Sequence, residues 1–232
     1  MTAPAAEVFG GRRLAALLLV PLLLGLHWYV ARPDVVAVQT SEGWWSVTPW
    51  ALGPMASFVA VFTLLGVLPA VVGVTLFRWP AARLGLTAGA LRPGLLFSAV
   101  GVSLALIAGL IGARSASFAA IYPLGLDAAA PTGAVVTHAA GYLLYYAGFE
   151  FFFRGYLLSG VGRPLGPRTA NVLQAVLATL IHAGRPAGEF AAALPASLAF
   201  GWLAQRTGSI WYGTVIHWSI GVSLDLFLIA KG

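Results

Sequence analysis

Residues 54–77 read PMASFVAVFTLLGVLPAVVGVTLF and contain no charged side chain. A helix needs about 20 mostly apolar residues to cross the hydrocarbon core of a bilayer, so this stretch indicates a membrane span. The rest of the 232-residue chain has the same character: 59% of its residues are hydrophobic and 9% are charged, with a mean hydropathy of +0.89. Soluble domains carry about 25% charged residues. The composition therefore predicts an integral membrane protein and argues against a soluble enzyme.

Further apolar stretches bring the expected number of spans to seven, which predicts an all-α, polytopic membrane fold. The first of them could also be read as a cleaved signal peptide, but its apolar character continues through Trp28 and Tyr29, which favours a retained helix. The expected spans are Leu14–Ala31, Pro54–Phe77, Gly94–Ile111, Ala134–Leu158, Ala170–His182, Phe190–Ala204 and Ser209–Ala230.

Polar residues inside the spans are concentrated in the C-terminal half of the chain. We therefore expect two parts: transmembrane helices and interfacial loops for packing or substrate access in residues 1–133, and the functional core in residues 134–232. A polar cavity should be lined by the fourth to seventh spans, with the first three spans as packing partners.

Basic residues predict the orientation and argue against nucleic acid as a partner. The 13 Lys and Arg residues form no basic block, and most of them flank spans on the side that also holds the N-terminus. The positive-inside rule then places the N-terminus in the cytoplasm and the chain in the cell membrane. The chain has no cysteine, which excludes disulfides and thiol catalysis.

The fourth span contains two ionisable residues, Glu150 and Arg154, in LLYYAGFEFFFRGYLLSG. Each costs roughly 2.5–3.5 kcal/mol near the centre of a membrane helix. Because they are four residues apart they share a helix face and can pair. The pair could be purely structural, or Arg154 could extend to the lipid headgroups.

Histidines on two other spans favour a functional site over a packing role alone. His182 ends the fifth span and His217 lies inside the seventh. Asp225 follows His217 by about two turns, and the helix-breaking residues between His182 and Glu189 could fold Glu189 back towards His182. His27 is interpreted as interfacial, and His138 is also placed outside the site.

A carboxylate and two imidazoles can hydrolyse an amide in two ways. The carboxylate can act as general base towards water while a histidine orients the water or stabilises the oxyanion. Alternatively, Glu150, His182 and His217 could hold one divalent metal ion such as Zn²⁺ with an open position for water. The zinc signature HExxH is absent. The residues leave both routes open.

The C-terminal part, about residues 141–227, resembles the CAAX-protease and bacteriocin-processing family of intramembrane endopeptidases. That family has the pattern EExxxR followed by Gly, a His on the next helix, and a later His often followed four residues on by Asn. Here the first motif reads FEFFFRG over residues 149–155, and the two histidines match His182 and His217. The resemblance implies catalytic roles for Glu150, Arg154, His182 and His217 and a membrane-bound protein or prenylated peptide as substrate.

Two positions depart from that pattern. Phe149 replaces the first Glu, which the family uses as its main catalytic carboxylate, and Gly221 replaces the Asn. We hypothesise a variant site in which Glu189 supplies a carboxylate and Asp225 replaces the Asn as a polar partner. With simple spans, however, His182 would lie about 10 Å in depth from Glu150 and His217.

Two other function classes remain open at this stage. A non-catalytic relative could bind a membrane protein or peptide, for example in immunity, and Phe149 favours this reading. A small proton-coupled transporter could use the same polar residues as a relay, but no internal repeat is visible.

Overall fold

The computed structural model describes residues 11–30, 37–40, 43–46, 53–126 and 130–231. Helices dominate these residues, and a hairpin of two short antiparallel strands pairs Val38 with Trp45. Parts of the expected interfacial loops, at residues 31–36, 41–42, 47–52 and 127–129, lie outside the described residues. The elements are α1 (Gly11–Val30), β1 (Ala37–Thr40), β2 (Gly43–Ser46), α2 (Pro54–Leu76), α3 (Leu91–Gly112), α4 (Ala116–Ala119), α5 (Thr132–Glu150), a π-helical continuation of α5 (Phe151–Val161), a 3₁₀ turn (Arg163–Leu165), α6 (Pro167–Leu180), α7 (Ala187–Thr207) and α8 (Trp211–Lys231).

The helix lengths confirm a polytopic helical membrane protein. Among the described residues, four helices are long and apolar enough to cross a membrane, namely α2, α3, α7 and α8, and Leu14–Trp28 is a shorter apolar stretch. α6 has 14 residues, which is short for a span. The expected fifth span is therefore a short helix that ends before His182.

The motif-bearing helix lies at the centre of the bundle. α5 runs directly into its π-helical continuation, and every residue from Gly148 to Leu158 is buried. All sides of this helix meet protein, so it is apolar all round apart from buried Glu150 and Arg154. Phe152, Phe153 and Tyr156 form its core contacts together with Leu23 of α1 and other apolar side chains.

Glycines bring neighbouring helices close together around this centre. A Cβ at Gly66 of α2 would lie 3.2 Å from Cα of Gly148 on α5, so the two backbones almost touch. α3 packs along α8 in the same way, since added Cβ atoms at Gly94, Gly101 and Gly109 would collide with α8 side chains. Small residues at helix crossings allow this close packing in membranes, and it holds α8 against the site.

Candidate active site

Glu150 links α5 to α8 through a buried hydrogen bond. Its Oε1 lies 2.8 Å from Nδ1 of His217. An ionised carboxylate can only accept hydrogen bonds, so Nδ1 of His217 is the donor. This bond fixes the ring of His217 and leaves Nε2 as its second polar atom.

Arg154 forms the expected ion pair with Glu150. Its Nε lies 3.2 Å from Oε2 of Glu150, and the Arg154 side chain is only 1% exposed. It therefore does not extend to the headgroups. The guanidinium carbon lies 5.4 to 5.9 Å from the ring centres of Phe149, Phe153 and Phe200. Within the described residues, its two Nη atoms have no hydrogen-bond partner.

Gly213 of α8 makes room for the Glu150 carboxylate. A Cβ at this position would lie 3.0 Å from Oε2 of Glu150, which is closer than the 3.5 to 4.0 Å of ordinary non-bonded contacts. A side chain at position 213 would therefore require the Glu150 carboxylate to shift by a few tenths of an ångström.

His182 lies in the turn between α6 and α7 and contacts Glu189. Its Nδ1 is 2.6 Å from the carbonyl oxygen of Ala178. A carbonyl only accepts, so Nδ1 donates, and Nε2 of the neutral ring carries a lone pair. That Nε2 lies 4.0 Å from Oε1 of Glu189. The expectation that Glu189 folds back towards His182 is thus met by the geometry.

A cavity of about 430 Å³ joins His182, Glu189 and His217. It lies at the end of the bundle where α1, α3 and α6 end and α7 begins. Glu150 and Arg154 are not among its lining residues; they lie behind His217 and Phe149. His182 and His217 both line this cavity, so the expected difference in depth does not keep them apart.

The N-terminal helices help to form the cavity wall. Trp28 of α1 and Gly112 of α3 line it, as does Tyr122 after α4. The first three spans therefore contribute residues to the cavity wall in addition to packing against the other helices. The interpretation of His27 as an interfacial residue is wrong, because its side chain is 3% exposed and lines the cavity.

Phe149 occupies the wall between the two site histidines. Its ring centre is 6.0 Å from that of His182 and 5.2 Å from that of His217, with edge-to-face geometry in both cases. The position that carries the first Glu of the family pattern therefore does face the cavity, and here it presents an aromatic ring.

Asp225 pairs with His138 and not with a residue of the candidate site. Its Oδ2 lies 2.9 Å from Nε2 of His138, and both side chains are buried. The two turns that separate Asp225 from His217 carry its carboxylate to α5 at the level of His138. The expectation of Asp225 as a partner beside His217 is corrected accordingly.

Tyr146 fills the space that opens at Gly221. A Cβ at Gly221 would lie 2.5 Å from Oη of Tyr146 and 2.9 Å from Cε1 of Tyr142. The ring of Tyr146 is 4.3 Å from that of His217. The space that a side chain at position 221 would need is thus occupied by Tyr146 of α5.

The expected metal ligands do not converge. No group of three His, Asp or Glu side chains in the described ranges could hold a metal ion. Oε1 of Glu150 and Nδ1 of His217 bind each other, and Glu150 lies behind the cavity. The residues present do not fit the proposed zinc site, and no chemical step below depends on a metal.

Comparison with known families gives a match in the region around this cavity. Residues 131–223 match the family model described as type II CAAX prenyl endopeptidase Rce1-like. This part of the chain is similar to the Rce1-like family. The Rce1-like segment contains Phe149, Glu150, His182, Glu189 and His217, and the family is one of proteases. No curated protein and no solved structure matches the chain.

Several residues that line the cavity were missed from the sequence. Tyr122 donates a hydrogen bond to Oε2 of Glu189 at 2.9 Å, and Tyr145 lies 3.4 Å from Nε2 of His27. Tyrosines are common at membrane interfaces, so neither showed a signal that separates site from anchor. Arg185 also lines the cavity, although the sequence places it among loop residues.

Proposed function

We propose that the protein is an intramembrane endopeptidase that hydrolyses peptide bonds of membrane-associated substrates in this cavity. One observation carries the proposal: the Glu150–His217 hydrogen bond fixes an imidazole at the wall of a cavity that also holds His182, within a segment that matches a protease family. The cavity volume of about 430 Å³ falls within the range of ligand sites.

The hydrogen bonds of the two histidines support different roles for them. His217 donates Nδ1–H to Glu150, whose negative charge stabilises the ring when Nε2 also holds a proton. Nε2–H can then donate to the oxyanion of the tetrahedral intermediate. Neutral His182 donates Nδ1–H to Ala178, so its Nε2 can accept a hydrogen bond from the attacking water.

The substrate and the cellular location belong to the same proposal. The family description names prenyl endopeptidases of CAAX type, so a peptide with a prenylated Cys near its C-terminus is the first substrate to try. The excess of arginine on one side supports insertion in the cell membrane with a cytoplasmic N-terminus. Addition of Zn²⁺ or of a chelator to the cleavage assay tests the prediction of one divalent metal ion, which the described residues of this cavity do not favour.

The test is peptide cleavage by purified full-length protein in lipid vesicles. A farnesylated peptide ending in CAAX and its unprenylated counterpart are followed by mass spectrometry with wild type, His182→Ala, His217→Ala and, as a control, His138→Asn. Cleavage by wild type and the control, with a loss of about a hundredfold or more in the two site variants, supports the proposal. Equal cleavage by all four contradicts it.

A second candidate, a non-catalytic peptide-binding protein, is favoured by Phe149. The ring fills the wall where the family pattern has its main carboxylate. In that case the farnesylated peptide binds without cleavage, and Phe149→Ala weakens binding while the histidine variants do not.

A further inference from the structure

We infer that Glu189 is the catalytic carboxylate of this cavity, moved from position 149 on α5 to the first turn of α7. The inference rests on the proposed peptidase function and deepens it. Glu189 would accept the proton of the attacking water, and Tyr122 would be its positioning residue.

The first observation concerns which carboxylates line the cavity. Among the described residues that line the cavity, Glu189 is the only carboxylate. Phe149 supplies no acid at its position, and Glu150 is fully buried behind the wall with Oε1 bound to His217. A carboxylate that touches substrate or water in this space must therefore be Glu189.

The surroundings of Glu189 hold its side chain in one orientation. Oε2 accepts a hydrogen bond from the Tyr122 hydroxyl at 2.9 Å. Burial, followed by the charge of Glu189, raises the pKa of the Tyr122 hydroxyl well above its usual range, so Tyr122 keeps its proton and remains the donor. Glu189 also lies in the first turn of α7, where the helix dipole favours a negative charge.

The remaining oxygen of Glu189 faces His182. Oε1 and Nε2 of His182 are both acceptors and lie 4.0 Å apart. One water molecule with hydrogen bonds of about 2.8 Å can bridge two acceptors at this separation. Such a water donates both protons to the protein, which directs its lone pairs towards a bound peptide carbonyl.

Hydrolysis then proceeds by attack of the water and collapse of the oxyanion. The water oxygen forms a bond to the carbonyl carbon while one water proton passes to Oε1 of Glu189, and the C=O π electrons move to the oxygen to give the oxyanion. When the oxyanion collapses, the C–N bond breaks and the leaving nitrogen takes the proton from Glu189. The products are a carboxylic acid and an amine.

Moving the carboxylate from position 189 to position 149 tests this assignment. Glu189→Gln keeps the side-chain shape and should lower kcat on the farnesylated peptide by about 10²- to 10⁴-fold. The double variant Phe149→Glu/Glu189→Gln returns a carboxylate to the wall and should regain at least tenfold of that loss. Phe149→Gln/Glu189→Gln has the same steric change without the charge and should regain none.

Arg154 can stabilise a carboxylate placed at position 149. Its guanidinium carbon lies 5.9 Å from the Phe149 ring centre, and its Nη atoms have no hydrogen-bond partner among the described residues. A carboxylate at position 149 therefore gains a nearby cation. Thermal unfolding of each variant in detergent verifies that the fold is retained.

Tyr122→Phe tests the positioning role separately. Loss of its hydroxyl should lower kcat by at least tenfold and leave KM within twofold, since the carboxylate is less well oriented but the apolar wall persists. A folded Glu189→Gln variant with wild-type kcat overturns the inference while the peptidase function stands. A wild type that cleaves nothing overturns both.

Discussion

Nδ1 of His217 and Oε1 of Glu150 lie 2.8 Å apart and are separated by 67 positions in the chain. The bond ties α8 to α5 at the inner wall of the cavity. Because Glu150 is fully buried, it acts through His217 and does not meet a substrate itself. In the proposed mechanism, the acidic residue of the motif is thus a positioning residue.

Substitution of Gly213 should disturb this bond. A methyl group 3.0 Å from Oε2 of Glu150 forces the carboxylate to shift, and small misplacements of a catalytic group are costly. We expect Gly213→Ala to lower kcat on the farnesylated peptide about tenfold. Gly133→Ala on α5 is the control, because a Cβ there has nothing within 4 Å. Equal kcat in both variants would count against the positioning role of Glu150.

Gly221→Ala should lower stability. The new methyl group overlaps the hydroxyl of Tyr146 and the ring of Tyr142, and overpacking costs about 1–3 kcal/mol. Thermal unfolding in detergent should show a lower Tm, which Tyr146→Phe restores in part because it removes the overlapping hydroxyl. Gly25→Ala, with open space at its Cβ, should leave Tm unchanged. An unshifted Tm for Gly221→Ala would mean that the two tyrosines are not packed against α8.

The His138–Asp225 pair should matter for stability alone. Asp225→Ala leaves His138 buried without its partner at 2.9 Å, and breaking a buried pair costs about 3–5 kcal/mol. The free energy of unfolding in detergent should fall by that amount, while kcat per folded molecule stays near that of wild type. Ser219→Ala on the same helix is the control. A selective loss of kcat at full stability would place Asp225 in the catalytic site after all.

Cysteine labelling can test the orientation, since the chain contains no cysteine of its own. Ser117 is exposed near the cavity end of the bundle and Thr169 is exposed at the opposite end. With a cytoplasmic N-terminus, α1 and α3 end outside. A membrane-impermeant maleimide should therefore label Ser117→Cys in intact cells and Thr169→Cys only after lysis. The reverse pattern would place the cavity end in the cytoplasm.

The fold class followed from the sequence because apolar length is a local property. Residues 54–77 identify a span without reference to any other part of the chain, and the helix Pro54–Leu76 agrees with them. The pairing of Glu150 with Arg154 could be predicted for the same reason, since residues four apart on a helix lie on the same face.

The wall of the cavity could not be predicted in this way. Tyr122 reaches Glu189 across 67 positions, and Asp225 reaches His138 across 87. Such contacts depend on how the helices pack, which helical periodicity does not determine. The sequence also did not show that α6 ends at Leu180, which leaves His182 in the turn before α7.

The most direct measurement is kcat for Glu150→Gln against wild type on the farnesylated peptide in vesicles, with both proteins shown to be folded. The amide keeps the shape but removes the charge that stabilises protonated His217. A catalytic role for the Glu150–His217 pair predicts a loss of about a hundredfold or more. Wild-type kcat in Glu150→Gln would contradict it.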